Sequence, residues 1–123
     1  MTMNEQRNIE AVRHLYQLTN DGDLAAVLSM LADEVELFLF GLAKVPWAGY
    51  WRGRRGAEQF LRAMAAAAEV KDIPDILVGA GHSVVAVHRP EVRIRATGRD
   101  ASFNCVHVWT LSRTIKDVRI INI

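Results

Sequence analysis

The sequence is poor in the features that mark a specialised protein class, and each absence removes a set of functions. One cysteine, Cys105, excludes an internal disulfide, and a lone thiol in a segment of extended pattern is by type a small core residue rather than a nucleophile. Only three prolines occur in 123 residues, which excludes a Pro-rich linker or tail. No stretch approaches the ~20 uncharged apolar residues of a membrane span. The opening residues Met1-Thr2-Met3-Asn4-Glu5-Gln6-Arg7 carry no apolar run of a secretory signal, so the expected location is the cytoplasm, away from membranes. Net charge is nearly missing too: fifteen Lys and Arg against fourteen Asp and Glu give +1, which supplies no general attraction to nucleic acid.

Cofactor signatures are also lacking. Gly49-Tyr50-Trp51-Arg52-Gly53-Arg54-Arg55-Gly56 has spaced glycines but no Gly-Lys-Ser/Thr phosphate loop and no dinucleotide fingerprint. His14, His82, His88 and His107 are scattered without paired ligand spacing, so neither a metal nor another cofactor is expected.

What is present is half apolar by residue count and fits one domain over residues 1–123, a length that buries roughly two-thirds of the unfolded chain's surface. Residues 5–19 place Ile9, Val12, Leu15, Tyr16 and Thr19 at helical spacing, and Asn20-Asp21-Gly22 ends that helix. Asp23 is a suitable N-cap for a short second helix with Leu24, Val27, Leu28 and Leu31 on its apolar face. From Glu34 the period becomes two: Val35, Leu37 and Leu39 alternate with Glu36, Phe38 and Phe40. Gly41–Gly56 reads as an ordered loop packed by its own aromatics, with Tyr50 and Trp51 at the rim of a cavity. A third helix is expected from Ala57 to Glu69, its inner side formed by Phe60, Leu61, Met64, Ala65 and Ala68. Beyond Pro74 the extended runs 76–78, 83–96, 101–111 and 115–123 suggest one antiparallel meander. Helices gathered ahead of the strands favour α+β: a curved, cone-shaped antiparallel sheet whose open end three N-terminal-side helices cover, enclosing a mostly apolar cavity.

Two polar groups stand on otherwise apolar faces. His107 shares a strand parity with Phe103, Cys105 and Trp109, where a titratable ring is desolvated. Tyr16 lies on the buried stripe of the first helix, and a buried hydroxyl needs a partner. Facing one cavity, a tyrosine and a histidine together can donate to a carbonyl oxygen as charge develops on it; periodicity does not place the two side by side.

The runs from Asn20-Asp21-Gly22-Asp23 to Val35, from Pro46-Trp47 to Phe60, and Cys105-Val106-His107-Val108-Trp109-Thr110-Leu111 resemble the SnoaL-like branch of the nuclear-transport-factor-2-like superfamily. That superfamily also holds ketosteroid isomerase and polyketide cyclases. The resemblance implies the cystatin-like cone and an isomerase, cyclase or lyase acting on a small apolar carbonyl or cyclic substrate, with Tyr16 and His107 as the catalytic pair; the alternative is a non-catalytic ligand binder or a dimeric interaction module. It also implies a cavity lined by Phe38, Leu39, Phe40, Trp51 and Phe60, by Met64, Phe103 and Cys105, and by Trp109 and Asn122. Leu39 stands where the isomerase keeps its general base, and a leucine cannot take a proton. With the last strand read as ending at Ile120-Ile121-Asn122-Ile123, Asn122 is expected to be the one polar group it contributes to the cavity. Val106 and Val108 on the opposite parity predict an apolar outer sheet face and a homodimer formed through it.

Overall fold

Thr2 starts the first helix. In the computed structural model, which describes residues 2–40, 47–102 and 104–122 (Phe40 and the last three by backbone alone), its side chain accepts from the Glu5 amide while the Glu5 carboxylate accepts from the Thr2 amide. That reciprocal capping box satisfies two otherwise unpaired donors. Helix α1 (Met3–Asn20) buries Ile9, Val12, Leu15 and Tyr16 as the period required. Gly22, at φ 75°, turns the chain, and the Asp23 side chain accepts from the Ala26 amide to open α2 (Leu24–Ser29).

Strand β1 (Leu31–Phe40) follows, with Val35, Leu37 and Leu39 buried. The segment expected to be a loop holds more structure than its composition indicated. Strand β2 (Gly49–Arg52) pairs antiparallel with β1, and α3 runs Gly53–Ala67 rather than from Ala57 to Glu69. Gly53, at φ 73°, permits the direct strand-to-helix corner, and Ala68 already belongs to β3 (Ala68–Lys71). Residues 41–46 of the expected loop lie outside the described residues.

The long run 83–96 is two strands, not one. Strands β4 (Ile76–Ala80) and β5 (Ser83–His88) form a hairpin, the chain leaves at Arg89-Pro90, and β6 (Glu91–Ile94) joins a different sheet. Proline has no amide hydrogen for a ladder, which is reason enough for the break. The run 101–111 likewise divides into β7 (Asp100–Ser102) and β8 (Cys105–Ser112), and β9 (Thr114–Asn122) completes the chain.

Among the described residues the single meander is replaced by two sheets. One has six strands in the order β2-β1-β9-β8-β5-β4 and the other three in the order β3-β6-β7. The pairing is antiparallel except for β1 and β9, which run parallel and bring the first and last strands together. The fold is α+β with an unclosed sheet: α1 packs on β4 and β5, and α3 on β1. Val12, Val35, Val84, Leu111 and Ile115 are the most deeply buried large side chains and join α1 to the six-stranded sheet. Among the described residues no helix is long and apolar enough to cross a membrane.

Candidate functional site

The inner face of β8 presents Cys105, His107, Trp109 and Leu111 in alternation, all buried. Neighbouring β5 presents Val84, Ala86 and His88, and the register sets His88 opposite Cys105, Ala86 opposite His107 and Val84 opposite Trp109. Because Ala86 is small, His107 has room beside His88, and the two rings meet edge to face with centroids 4.0 Å apart. Tyr16 arrives from α1. Its Oη lies 2.5 Å from His107 Nδ1 and 3.0 Å from Trp109 Nε1.

The proton positions in this cluster follow from donor inventories. Burial, and secondarily the charge His88 can carry, hold the His107 pKa well below the ordinary histidine value, so its ring is neutral. Burial also raises the Tyr16 pKa, against the lowering effect of the Trp109 N–H, so the phenol keeps its proton. Indole nitrogen can only donate. Trp109 therefore donates to Tyr16 Oη, Tyr16 donates to His107 Nδ1, and the imidazole proton sits on Nε2.

A second polar chain lies beside the first. Asp72, in the segment between β3 and β4, accepts through Oδ1 from His88 Nδ1, while the buried His88 Nε2 has no hydrogen-bond partner among the described residues. The Asp72 backbone is held by Asn20: the Asp72 amide donates to Asn20 Oδ1 and the Asn20 Nδ2 donates to the Asp72 carbonyl, each at 3.0 Å. Burial, with the Asp72 charge adding to it, pushes the Cys105 thiol up to about 12, which removes it as a nucleophile at neutral pH.

Both chains border a cavity of about 410 Å³. Its wall is apolar where Leu37, Leu39, Trp47, Phe60, Met64 and Val118 contribute, and polar where Tyr16, Asp72, His107 and Asn20 do. Of the residues expected at this wall, Tyr16, Leu39, Phe60, Met64, Cys105, His107 and Trp109 are there. Phe38 is not. It has the opposite parity to Leu37 and Leu39, packs against the Tyr50 ring with centroids 4.9 Å apart and planes tilted by 34°, and lies under the Arg119 guanidinium at 5.0 Å. Trp51 also misses the wall: its indole donates to the Trp47 carbonyl at 3.1 Å and its ring packs on Phe60, so Trp47 takes the place expected of it. Tyr50 is exposed and donates to Glu36 at 2.7 Å, away from any rim. Phe40, Phe103 and Asn122 fall outside the described side chains.

Sequence reasoning missed His88, Asp72 and Asn20. His88 was detectable, since it continues the inner parity of Val84 and Ala86. Asp72 carried no such signal, because Asp72-Ile73-Pro74 has no period.

The sequence matches the family of SnoaL-like domains over residues 12–121. No curated protein matches it. Among solved structures it is similar to an NTF2-like protein from Burkholderia xenovorans, with 22% identity, a TM-score of 0.86, and 99% of this chain and 93% of that one covered. TerC, co-crystallised with polyporic acid, is 26% identical with a TM-score of 0.83, covering 94% of this chain and 91% of its own. The epoxide hydrolase/cyclase-like enzyme SalBIII, which acts in pyran ring formation in the polyether salinomycin, is 22% identical with a TM-score of 0.79, covering 96% and 92%.

Proposed function

The chain belongs to the family of SnoaL-like domains, and from that premise we propose that it is an enzyme acting by acid–base chemistry on a small, largely apolar molecule with a carbonyl or ring oxygen. The observation that carries this reading is the Tyr16–His107 hydrogen bond on the wall of a largely apolar cavity. A neutral phenol and a neutral imidazole are donors without net charge. They stabilise an oxygen more as it becomes negative than in the ground state, which is the condition for catalysis. A substrate oxygen placed at Tyr16 Oη takes the proton bond that His107 Nδ1 otherwise accepts, while Trp109 holds the phenol in place.

The base that Leu39 cannot be is supplied, in this reading, by Asp72. Its carboxylate borders the cavity, is largely shielded with 15% of the side chain exposed, and is oriented by His88. It takes a proton from an acidified carbon or from an attacking hydroxyl of the substrate and returns it after the bond rearranges, so no external reagent is consumed. Isomerisation, cyclisation and ring opening all fit this scheme, and the resemblance to SalBIII lies within it.

The test is a panel of carbonyl and cyclic ether compounds that includes polyporic acid, followed by tryptophan fluorescence for binding and by mass spectrometry for turnover. Asp72→Asn is expected to lower turnover roughly 10²–10⁴-fold while the ligand still binds. Turnover that survives Asp72→Asn, or a panel in which no compound saturates the cavity, refutes the reading. A second reading, a binder without chemistry, draws on the leucine at position 39; saturable binding with every compound recovered unchanged would favour it.

A further inference from the structure

We propose that His88, Cys105 and His107 form a binding site for a thiophilic divalent cation of the Zn(II) class, with its fourth position open to the cavity. One nitrogen of each imidazole and the Cys105 sulfur lie within 4.8 Å of one another, and all three residues are buried. Tetrahedral zinc with N and S ligands needs separations of about 3.5 Å between ligand atoms. Closing the triangle requires movements of about an ångström, within the reach of side-chain torsions. The arrangement comes from the sheet itself. Cys105 and His107 are two apart on the inner face of β8, and His88 is the cross-strand partner of Cys105.

The surroundings are those a metal-binding histidine has. His88 donates its Nδ1 proton to the Asp72 carboxylate, the contact that fixes the tautomer and leaves Nε2 as the ligand. Among the described residues that Nε2 has no hydrogen-bond partner, and its side chain has 0% exposure. A buried nitrogen in this state is unfavourable unless something binds it, and a cation held by the neighbouring ligand atoms would do so. His107 is oriented through its own Nδ1 by Tyr16; for its Nε2 to ligate, the imidazole proton moves to Nδ1 and is donated to Tyr16 Oη, and the phenol proton turns to the cavity. Cys105 and His107 both border the cavity, which gives the cation an approach and leaves room for a water or a ligand oxygen as fourth donor. Two imidazoles and a thiolate favour zinc over magnesium or calcium, which take oxygen ligands.

The inference goes beyond the acid–base reading and is tested without any substrate. Protein stripped of metal with a chelator is titrated with Co(II) under anaerobic conditions and followed by absorption spectroscopy. The expected result is one equivalent bound, with the visible bands of tetrahedral cobalt and a thiolate-to-cobalt charge-transfer band, both abolished by added Zn(II). Cys105→Ser should remove the charge-transfer band, and Asp72→Asn should weaken binding roughly 10–100-fold by releasing His88. Wild-type protein, folded by circular dichroism, that shows no charge-transfer band at saturating Co(II) overturns the proposal. So does cobalt that binds with octahedral bands unaffected by Asp72→Asn, which would place it on exposed histidines instead. Neither failure bears on catalysis by Tyr16 and Asp72.

Discussion

Asn20, the last residue of α1, grips the backbone of Asp72 with both ends of its side-chain amide, each hydrogen bond 3.0 Å long. One helix terminus thereby sets the position of a cavity carboxylate 52 residues away in sequence. Asn20→Ala removes both bonds and leaves a partly buried amide and carbonyl to find water. The expected loss is about 1–3 kcal/mol in urea denaturation, together with faster hydrogen exchange at the Asp72 amide. Unchanged exchange at that amide would show that the segment is held by other means.

Tyr16→Phe keeps the ring and deletes the hydroxyl that joins Trp109 to His107. The buried indole N–H then has no acceptor, at a cost of about 1–3 kcal/mol. Thermal unfolding should report the loss, and the Trp109 emission should shift because its hydrogen bond is gone. A variant as stable as the parent would mean that water replaces the phenol oxygen.

Stability should fall with acidification before the carboxylates titrate. In the folded, metal-free protein His107 stays neutral well below the ordinary pKa of about 6.5, enclosed by Tyr16, Trp109, His88 and Cys105, with Asp72 beyond His88. The unfolded chain takes up that proton near pH 6.5, so below this value it binds more protons than the fold does. Stability is therefore fully present above about pH 6.5 and declines as pH falls, by about 1 kcal/mol per pH unit for this group, until the depressed folded pKa is reached. Urea denaturation between pH 7 and about pH 5, a window above the ordinary carboxylate values, should show this slope, and His107→Gln should reduce it. An equal slope in both proteins would assign the effect elsewhere.

We infer that the outer sheet face closes a homodimer. Register places Ile76, Val87 and Val106 in one row across β4, β5 and β8, and Val78, Val85 and Val108 in the next. Ile76, Val78 and Val87 are 52%, 53% and 40% exposed, an apolar patch on the outer sheet face. A twofold axis sets such a patch against its own copy and leaves no open surface for further growth. Sedimentation should give twice 13.8 kDa, and Val87→Glu should return the single-chain mass. A wild-type protein that sediments at 13.8 kDa at micromolar concentration contradicts the dimer.

Local periodicity by itself determined α1, the Asp23 cap, the inner parity of β1 and β8, and therefore the placement of Tyr16 and His107 on apolar faces. These features depend on residues a few positions apart, and burial of one face enforces them whatever the rest of the chain does. The tertiary structure alone decided that β1 runs parallel to β9, that residues 83–96 divide between two sheets, and that Phe38 and Trp51 stand away from the cavity. It also decided that a tyrosine and a histidine 91 residues apart share a proton bond, and that Asp72 meets His88. Asp72 sits in a segment without period, held by a helix end it is not adjacent to in sequence. Its position comes from the strand register that places His88 and from Asn20, and neither leaves a mark on the residues around it.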